Sequence, residues 1–183
     1  MFIQTETTPN PSTLKFLPGK TIITSGNLEF KTKIDAEKNN LAKKLFVNEN
    51  VAGVFISKDF LTVTKNEGVD WESLKPSILS IILDFFSEGN EVTSNITEDK
   101  KSKKSINYSE KDQEIVDKIM ELLDERIKPA VAQDGGDISF VKLEEGVVFL
   151  ELRGACSGCP SSTITLKSGI ENMLKYYIPE IVS

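Results

Sequence analysis

The chain has 183 residues, 39% of them hydrophobic and 27% charged, the composition of a folded protein rather than a disordered one. It holds a net charge of −6 and no histidine, which removes histidine-based acid–base catalysis, Ser-His-Asp and Cys-His arrangements, and imidazole metal ligands. The longest apolar run, around 78–86, is interrupted by Ser80 and Asp84 and is far shorter than the roughly 20 residues of a membrane span, so no membrane association is expected.

Charge is spread unevenly. Residues 1–87 balance at ten basic and ten acidic side chains, whereas 111–183 hold eight basic against thirteen acidic. A nucleic-acid interface needs a basic face. The half containing both cysteines is instead the acidic one, so nucleic acid is not an expected partner. The opening residues Met1-Phe2-Ile3-Gln4-Thr5-Glu6 lack the basic patch and apolar core of a secretory signal, and also the Arg-rich character of a transit peptide. The expected setting is a cytoplasm, or the destination of an imported and processed protein.

In chain order, Thr8-Pro9-Asn10-Pro11 cannot lie inside a helix, because each proline removes a donor and biases its predecessor towards extended geometry. Residues 14–17, ending at Pro18-Gly19, and 21–30 are rich in β-formers and are predicted as strands. A helix is predicted over 35–46, with Leu41, Leu45 and Phe46 on one face. Segments 51–57 and 61–65 should form a hairpin turning at Lys58-Asp59, and 71–86 places Leu74, Ile78, Ile81, Ile82 and Phe85 at helical spacing. This first domain, 1–87, contains no Gly-rich phosphate loop and no evident ligand cluster, and its aromatics are expected to be core. From 88 to 109 the patterning stops, and Glu98-Asp99-Lys100-Lys101-Ser102-Lys103-Lys104 looks like solvated linker of mixed charge.

A second domain is predicted over 110–183. Ser109 should cap a helix carrying Ile115, Val116, Ile119, Met120, Leu122, Leu123 and Ile127, which Pro129 should end. Asp134-Gly135-Gly136-Asp137 is a turn, followed by a strand with Ile138, Phe140 and Leu143. A second turn at Glu144-Glu145-Gly146 leads to a strand over 147–153, with Val148, Leu150 and Leu152 on one face and Val147, Phe149 and Glu151 on the other. The cysteine loop follows, then a helix with Ile164, Leu166, Ile170, Met173 and Leu174. The expected fold class is α+β: two small α+β domains joined by a flexible linker, the C-terminal one with the order α-β-β-α.

The chemistry concentrates in Gly154-Ala155-Cys156-Ser157-Gly158-Cys159-Pro160-Ser161-Ser162-Thr163. Two residues between cysteines let one short loop bring both sulfurs to a single metal centre. Gly154 and Gly158 permit backbone conformations closed to other residues. Loop amides can then donate to thiolate and sulfide, and a helix starting at Pro160 would put its positive end beside Cys159, favouring the thiolate. A cubane or a tetrahedral metal takes four protein ligands, yet this chain has two thiolates and no histidine. Two chains meeting on a symmetry axis, each giving Cys156 and Cys159, would complete the shell. From the loop alone, a shared metal or cluster site, a dithiol redox switch of thioredoxin type and an inert pair all stand open. So does a zinc bridge between chains. A thioredoxin fold needs a βαβ unit and more sheet after the motif, and only one helix follows here. Since the loop lies outside both apolar stripes, replacing either cysteine by serine should leave the chain folded.

Asp134-Gly135-Gly136-Asp137, then Gly-Ala-Cys-Ser-Gly-Cys-Pro-Ser-Ser at 154–162 and Thr165-Leu166-Lys167, resembles the NifU-like C-terminal domain of the Nfu family of iron–sulfur cluster scaffolds and carriers. Thr5-Glu6-Thr7-Thr8-Pro9-Asn10-Pro11, with Leu14-Lys15-Phe16 and Pro18-Gly19, resembles the Nfu-type N-terminal domain joined to it. The resemblance implies a non-enzymatic assembly factor that binds a [4Fe-4S] cluster between two protomers through Cys156 and Cys159. Two thiolates per chain would serve a [2Fe-2S] centre equally. It further implies a homodimer on cluster binding, an upstream assembly scaffold as donor, and apo iron–sulfur proteins as recipients, among them lipoate- and radical-chemistry proteins and respiratory subunits. The N-terminal domain would contact partners rather than ligate metal. A bacterial cytoplasmic protein is the expected case, and a processed protein of the mitochondrial matrix would read the same.

Overall fold

The computed structural model describes residues 1–93, 106–157 and 160–183, with backbone alone at 160–162. Residues 94–105 of the expected linker, with its lysine run, and Gly158 and Cys159 lie outside the described residues. The fold is α+β, and the chain divides into two compact units, Met1–Ile96 and Thr97–Ser183.

In the first unit, β1 (Gln4–Thr7), β2 (Thr13–Leu17), β3 (Leu28–Phe30), β4 (Val51–Ile56) and β5 (Leu61–Lys65) form one antiparallel sheet in the order β1-β2-β5-β4-β3. Strand β1 has no counterpart in the sequence reading, because Gln-Thr-Glu-Thr carries no apolar alternation. Cross-strand pairing holds it: Glu6 stands opposite Lys15 and their side chains form an ion pair at 3.5 Å. The Lys15 ammonium also lies 4.6 Å from the centre of the Phe60 ring. Elsewhere the Thr13 and Thr64 hydroxyls, on facing residues of β2 and β5, bond at 2.8 Å.

Two expectations for this unit are corrected. The strand predicted over 21–30 contracts to Leu28–Phe30. Ile22 and Ile23 are buried, but both amides converge on one acceptor, the Lys58 carbonyl, at 2.6 and 3.4 Å, instead of running along a ladder. The helix predicted over 35–46 is two helices, α1 (Lys33–Ala36) and α2 (Asn40–Leu45). Asn39 divides them: its backbone is extended, and its side-chain oxygen accepts from the Leu41 and Ala42 amides at 3.1 and 2.9 Å. A side chain that caps so well starts a new helix where spacing alone continues the old one. The predicted hairpin is β4–β5, and α3 (Trp71–Ser87) packs Leu74, Ile78, Ile82 and Phe85 onto the sheet's core.

The second unit opens with α4 (Glu110–Leu122), capped as expected by the Ser109 hydroxyl accepting from the Asp112 amide at 3.2 Å. Pro129 does not end the helical run. A π-turn (Leu123–Ile127) follows α4, and α5 (Lys128–Gln133) carries Pro129 in its first turn. Lys128 donates to the Leu123 carbonyl five residues back, so the hydrogen-bond register slips just before the proline's missing N–H would be required. The strand β6 (Gly136–Glu144) pairs antiparallel with β7 (Val147–Gly154) from Gly136↔Gly154 to Glu144↔Val147. The register shifts between Phe140 and Lys142, leaving Val141 as a bulged extra residue, 54% exposed. That bulge turns Leu143 back to the same core as Ile138 and Phe140, a spacing strict alternation would not allow. Glu145 and Gly146, with φ of 50° and 79°, make the two-residue turn whose twist suits a hairpin.

The helix α6 (Pro160–Tyr177) returns across the hairpin, burying Ile170 and Leu174 with Leu166 and Met173 half-buried. Ile164, assigned to that stripe above, is 69% exposed instead. At 100° per residue it points well away from Ile170 and Leu174. After α6 the last residues lie along the hairpin's turn, with Val182 donating to the Gly146 carbonyl (2.7 Å) and Val148 to the Ser183 carbonyl (2.9 Å). None of the described helices is long and apolar enough to cross a membrane.

The Gly146 turn yields a test of this packing. A Cβ at Gly146 would stand 2.9 Å from the Val182 side chain and 3.0 Å from the Glu180 carbonyl, in a backbone conformation that disfavours side chains. Gly146→Ala should therefore cost about 1–3 kcal/mol in urea unfolding. An unchanged midpoint would show that the C-terminal residues do not hold this turn.

Candidate metal centre

The cysteine loop leaves the open end of the β6–β7 hairpin, opposite the Glu145-Gly146 turn. Its first residue, Gly154, pairs with Gly136 and has φ of 71°, the left-handed conformation expected of it. A single 3₁₀ turn (Ala155–Ser157) follows, and α6 begins at Pro160. Helix α6 thus starts at the residue after Cys159, as the sequence suggested. Cys159 itself lies outside the described residues.

Hydrogen bonds anchor the turn on the side facing the hairpin. The Ala155 amide donates to the Gly135 carbonyl at 3.2 Å, and the Ser157 hydroxyl to the Gly154 carbonyl at 2.9 Å. The Thr163 hydroxyl, from the start of α6, donates to the Cys156 carbonyl at 3.0 Å.

Cys156 is 5% exposed and belongs to the apolar cluster with Ile115, Ile119, Ile138 and Ile170. The expectation that the loop stands clear of the core is therefore corrected for this residue. The reason is local: the 3₁₀ turn folds the Cys156 side chain back over the end of the sheet. Gly136 makes the space. A Cβ there would lie 2.6 Å from the Arg153 carbonyl, 2.8 Å from the Cys156 sulfur and 3.1 Å from its Cβ. From sequence, Gly136 is a turn residue and part of the Asp134-Gly135-Gly136-Asp137 motif that carries the family resemblance. Its closeness to a cysteine twenty residues away carries no local signal, and neither does the reach of Thr163.

Among the described residues, no group of three or more Cys, Asp, Glu or His side chains stands together as a metal site. A shallow cavity of about 140 Å³, lined by Lys111, Asp112, Ile115, Leu143, Gly146 and Glu180, lies at the turn end of the hairpin, away from the loop. The carboxylate of Glu171 on α6 is held below its ordinary range, first by a hydrogen bond from Lys175 and then by that ammonium's charge.

Substitution at Gly136 checks the geometry. Gly136→Ala should destabilise the chain by about 1–3 kcal/mol in urea unfolding, since backbone on one side and sulfur on the other leave the methyl no room. Wild-type stability in this variant would mean that Cys156 does not occupy the seat described.

Known proteins match both parts of the chain. The Nfu/NifU N-terminal scaffold-protein family matches residues 3–89, and the NifU-like domain family matches residues 119–183. A human protein named as a mitochondrial iron–sulfur cluster scaffold homologue, NFU1, is 50% identical over 182 residues, covering 99% of this chain and 70% of its own. The protein of the same name from Drosophila sechellia is 48% identical over all of this chain, which spans 64% of the fly protein. The solution structure of a NifU-like protein from Saccharomyces cerevisiae is 30% identical, covers 52% of this chain and 86% of its own, and superimposes with a TM-score of 0.47. The resemblance drawn from residues 5–19 and 134–167 is met in both domains. On these matches, the chain belongs to the Nfu/NifU family of scaffold proteins.

Proposed function

We propose that this protein is an iron–sulfur cluster carrier in which Cys156 and Cys159 of two protomers jointly hold a [4Fe-4S] cluster that is then handed to apo-proteins. The cluster is cargo rather than a resident cofactor. The observation that carries the reading is the donor count. A chain of a scaffold family has two thiols, three positions apart, and no histidine, half of what a cubane takes. A site shared by two chains opens when they part, which suits delivery better than permanent electron transfer. The names of the human and fly relatives support the iron–sulfur assignment.

The working division is an N-terminal domain over 1–87 for partner contact, a linker over 88–109 and a cluster-binding domain over 110–183. An upstream scaffold acts as donor, and apo iron–sulfur enzymes receive the cluster without turnover by the carrier itself. Thiolate ligands need a reducing compartment. A bacterial cytoplasm or the mitochondrial matrix would provide it, and the relatives are named as mitochondrial.

Anaerobic reconstitution with iron and sulfide should give a brown dimer with about four iron atoms, read by iron and sulfide analysis and size exclusion. A centre of two irons per dimer would point to [2Fe-2S] cargo instead. Cys156→Ser and Cys159→Ser should each lose the visible absorption. Colourless protein, or a cluster held by a monomer without added thiol, would refute the shared-ligand reading. Insulin reduction that survives chelators would move the pair to dithiol chemistry.

A further inference from the structure

The thiol that must reach a second chain is packed inside its own. Cys156 is 5% exposed, seated against Gly136 and the apolar cluster of the second unit. A sulfur in that seat cannot be shared across a subunit boundary until the 3₁₀ turn lifts it out.

Of the three side-chain and backbone ties described for this turn, two stay on the hairpin side: Ala155 to Gly135, and Ser157 to Gly154. The third runs from Thr163 on α6 to the Cys156 carbonyl and so spans Cys159. A threonine in a helix commonly turns its hydroxyl to the carbonyl four residues back. Thr163 reaches seven residues back, out of the helix and onto the ligand's own peptide. The bond is partly buried, where water replaces it poorly.

We propose that Thr163 is a positioning residue, a latch whose hydroxyl keeps the Cys156 thiol seated in the core of the unloaded chain. Releasing that bond loosens the turn on its α6 side, so that the sulfur turns outward more often. What the latch serves rests on the cluster-carrier reading above, but the latch itself is a property of the metal-free chain and is testable without iron.

The test uses the full-length chain carrying Cys159→Ser, which leaves Cys156 as the lone thiol, freshly reduced and metal-free. Its reaction rate with Ellman's reagent measures how often the seat opens. Thr163→Val, which keeps the shape and removes the donor, and Thr163→Ala should each raise the rate about fivefold, the effect of losing one ordinary hydrogen bond. Thr163→Ser restores the hydroxyl and should stay within about twofold of the parent. Parent-like rates in Thr163→Val and Thr163→Ala would overturn the latch, as would a Thr163→Ser variant as reactive as Thr163→Val. Loss of folded circular dichroism in both Val and Ala variants would also overturn it, because the bond would then be part of the fold rather than a releasable tie. A failed reconstitution with a normal reactivity series would instead remove the carrier reading and leave the latch standing.

Discussion

The second unit depends on one close approach: the Gly136 backbone against the Cys156 turn at the open end of the hairpin. With no side chain at Gly136, the 3₁₀ turn folds back over β6 and brings the Cys156 side chain into the apolar cluster. The same residue ends the ladder opposite Gly154, so the strand pairing and the sulfur's position are fixed together. Any enlargement there meets the Arg153 carbonyl, a backbone atom paired into the sheet that cannot yield cheaply, with the Cys156 sulfur on the other side.

The rest of the hairpin keeps that end in register. Its two-residue turn sets one end, and the bulge at Val141 absorbs one residue so that Ile138, Phe140 and Leu143 all face the core. Without the bulge, the residues on one side of it would be rotated to the opposite face of the sheet. The π-turn before α5 solves a similar problem in the helical layer, letting the chain pass through Pro129 while Ile127 and Val131 remain buried. In both places, an irregularity of one residue preserves the continuity of an apolar face.

The buried Cys156 thiol bears on the competing chemistries. A dithiol exchange centre attacks through an exposed thiolate, so burial of the sulfur slows it. A carrier that is loaded and emptied gains from a thiol shielded from oxidation between cycles. Gating by a hydrogen bond of ordinary strength is compatible with such use, because a tie of about 1 kcal/mol opens readily when a competing ligand arrives.

The sequence by itself determined the α+β class, the β4–β5 hairpin, the long helices and the identity of the two thiols. Each is written in local signals: apolar periodicity, the Ser109 cap, turn residues, and a three-residue spacing that needs no fold to be recognised. Strand β1 was illegible, because Gln-Thr-Glu-Thr becomes a strand only by pairing with β2. The break at Asn39 lay within reach of sequence, since Asn39 is a capping residue and the apolar face of Leu41, Leu45 and Phe46 begins only after it. The exposure of Ile164 follows from its angle to Ile170 and Leu174 on the helix. The burial of Cys156 and the reach of Thr163, by contrast, were decided by tertiary structure alone. They depend on which atoms meet across the hairpin and α6, and contacts between residues distant in the chain leave no period or spacing to read.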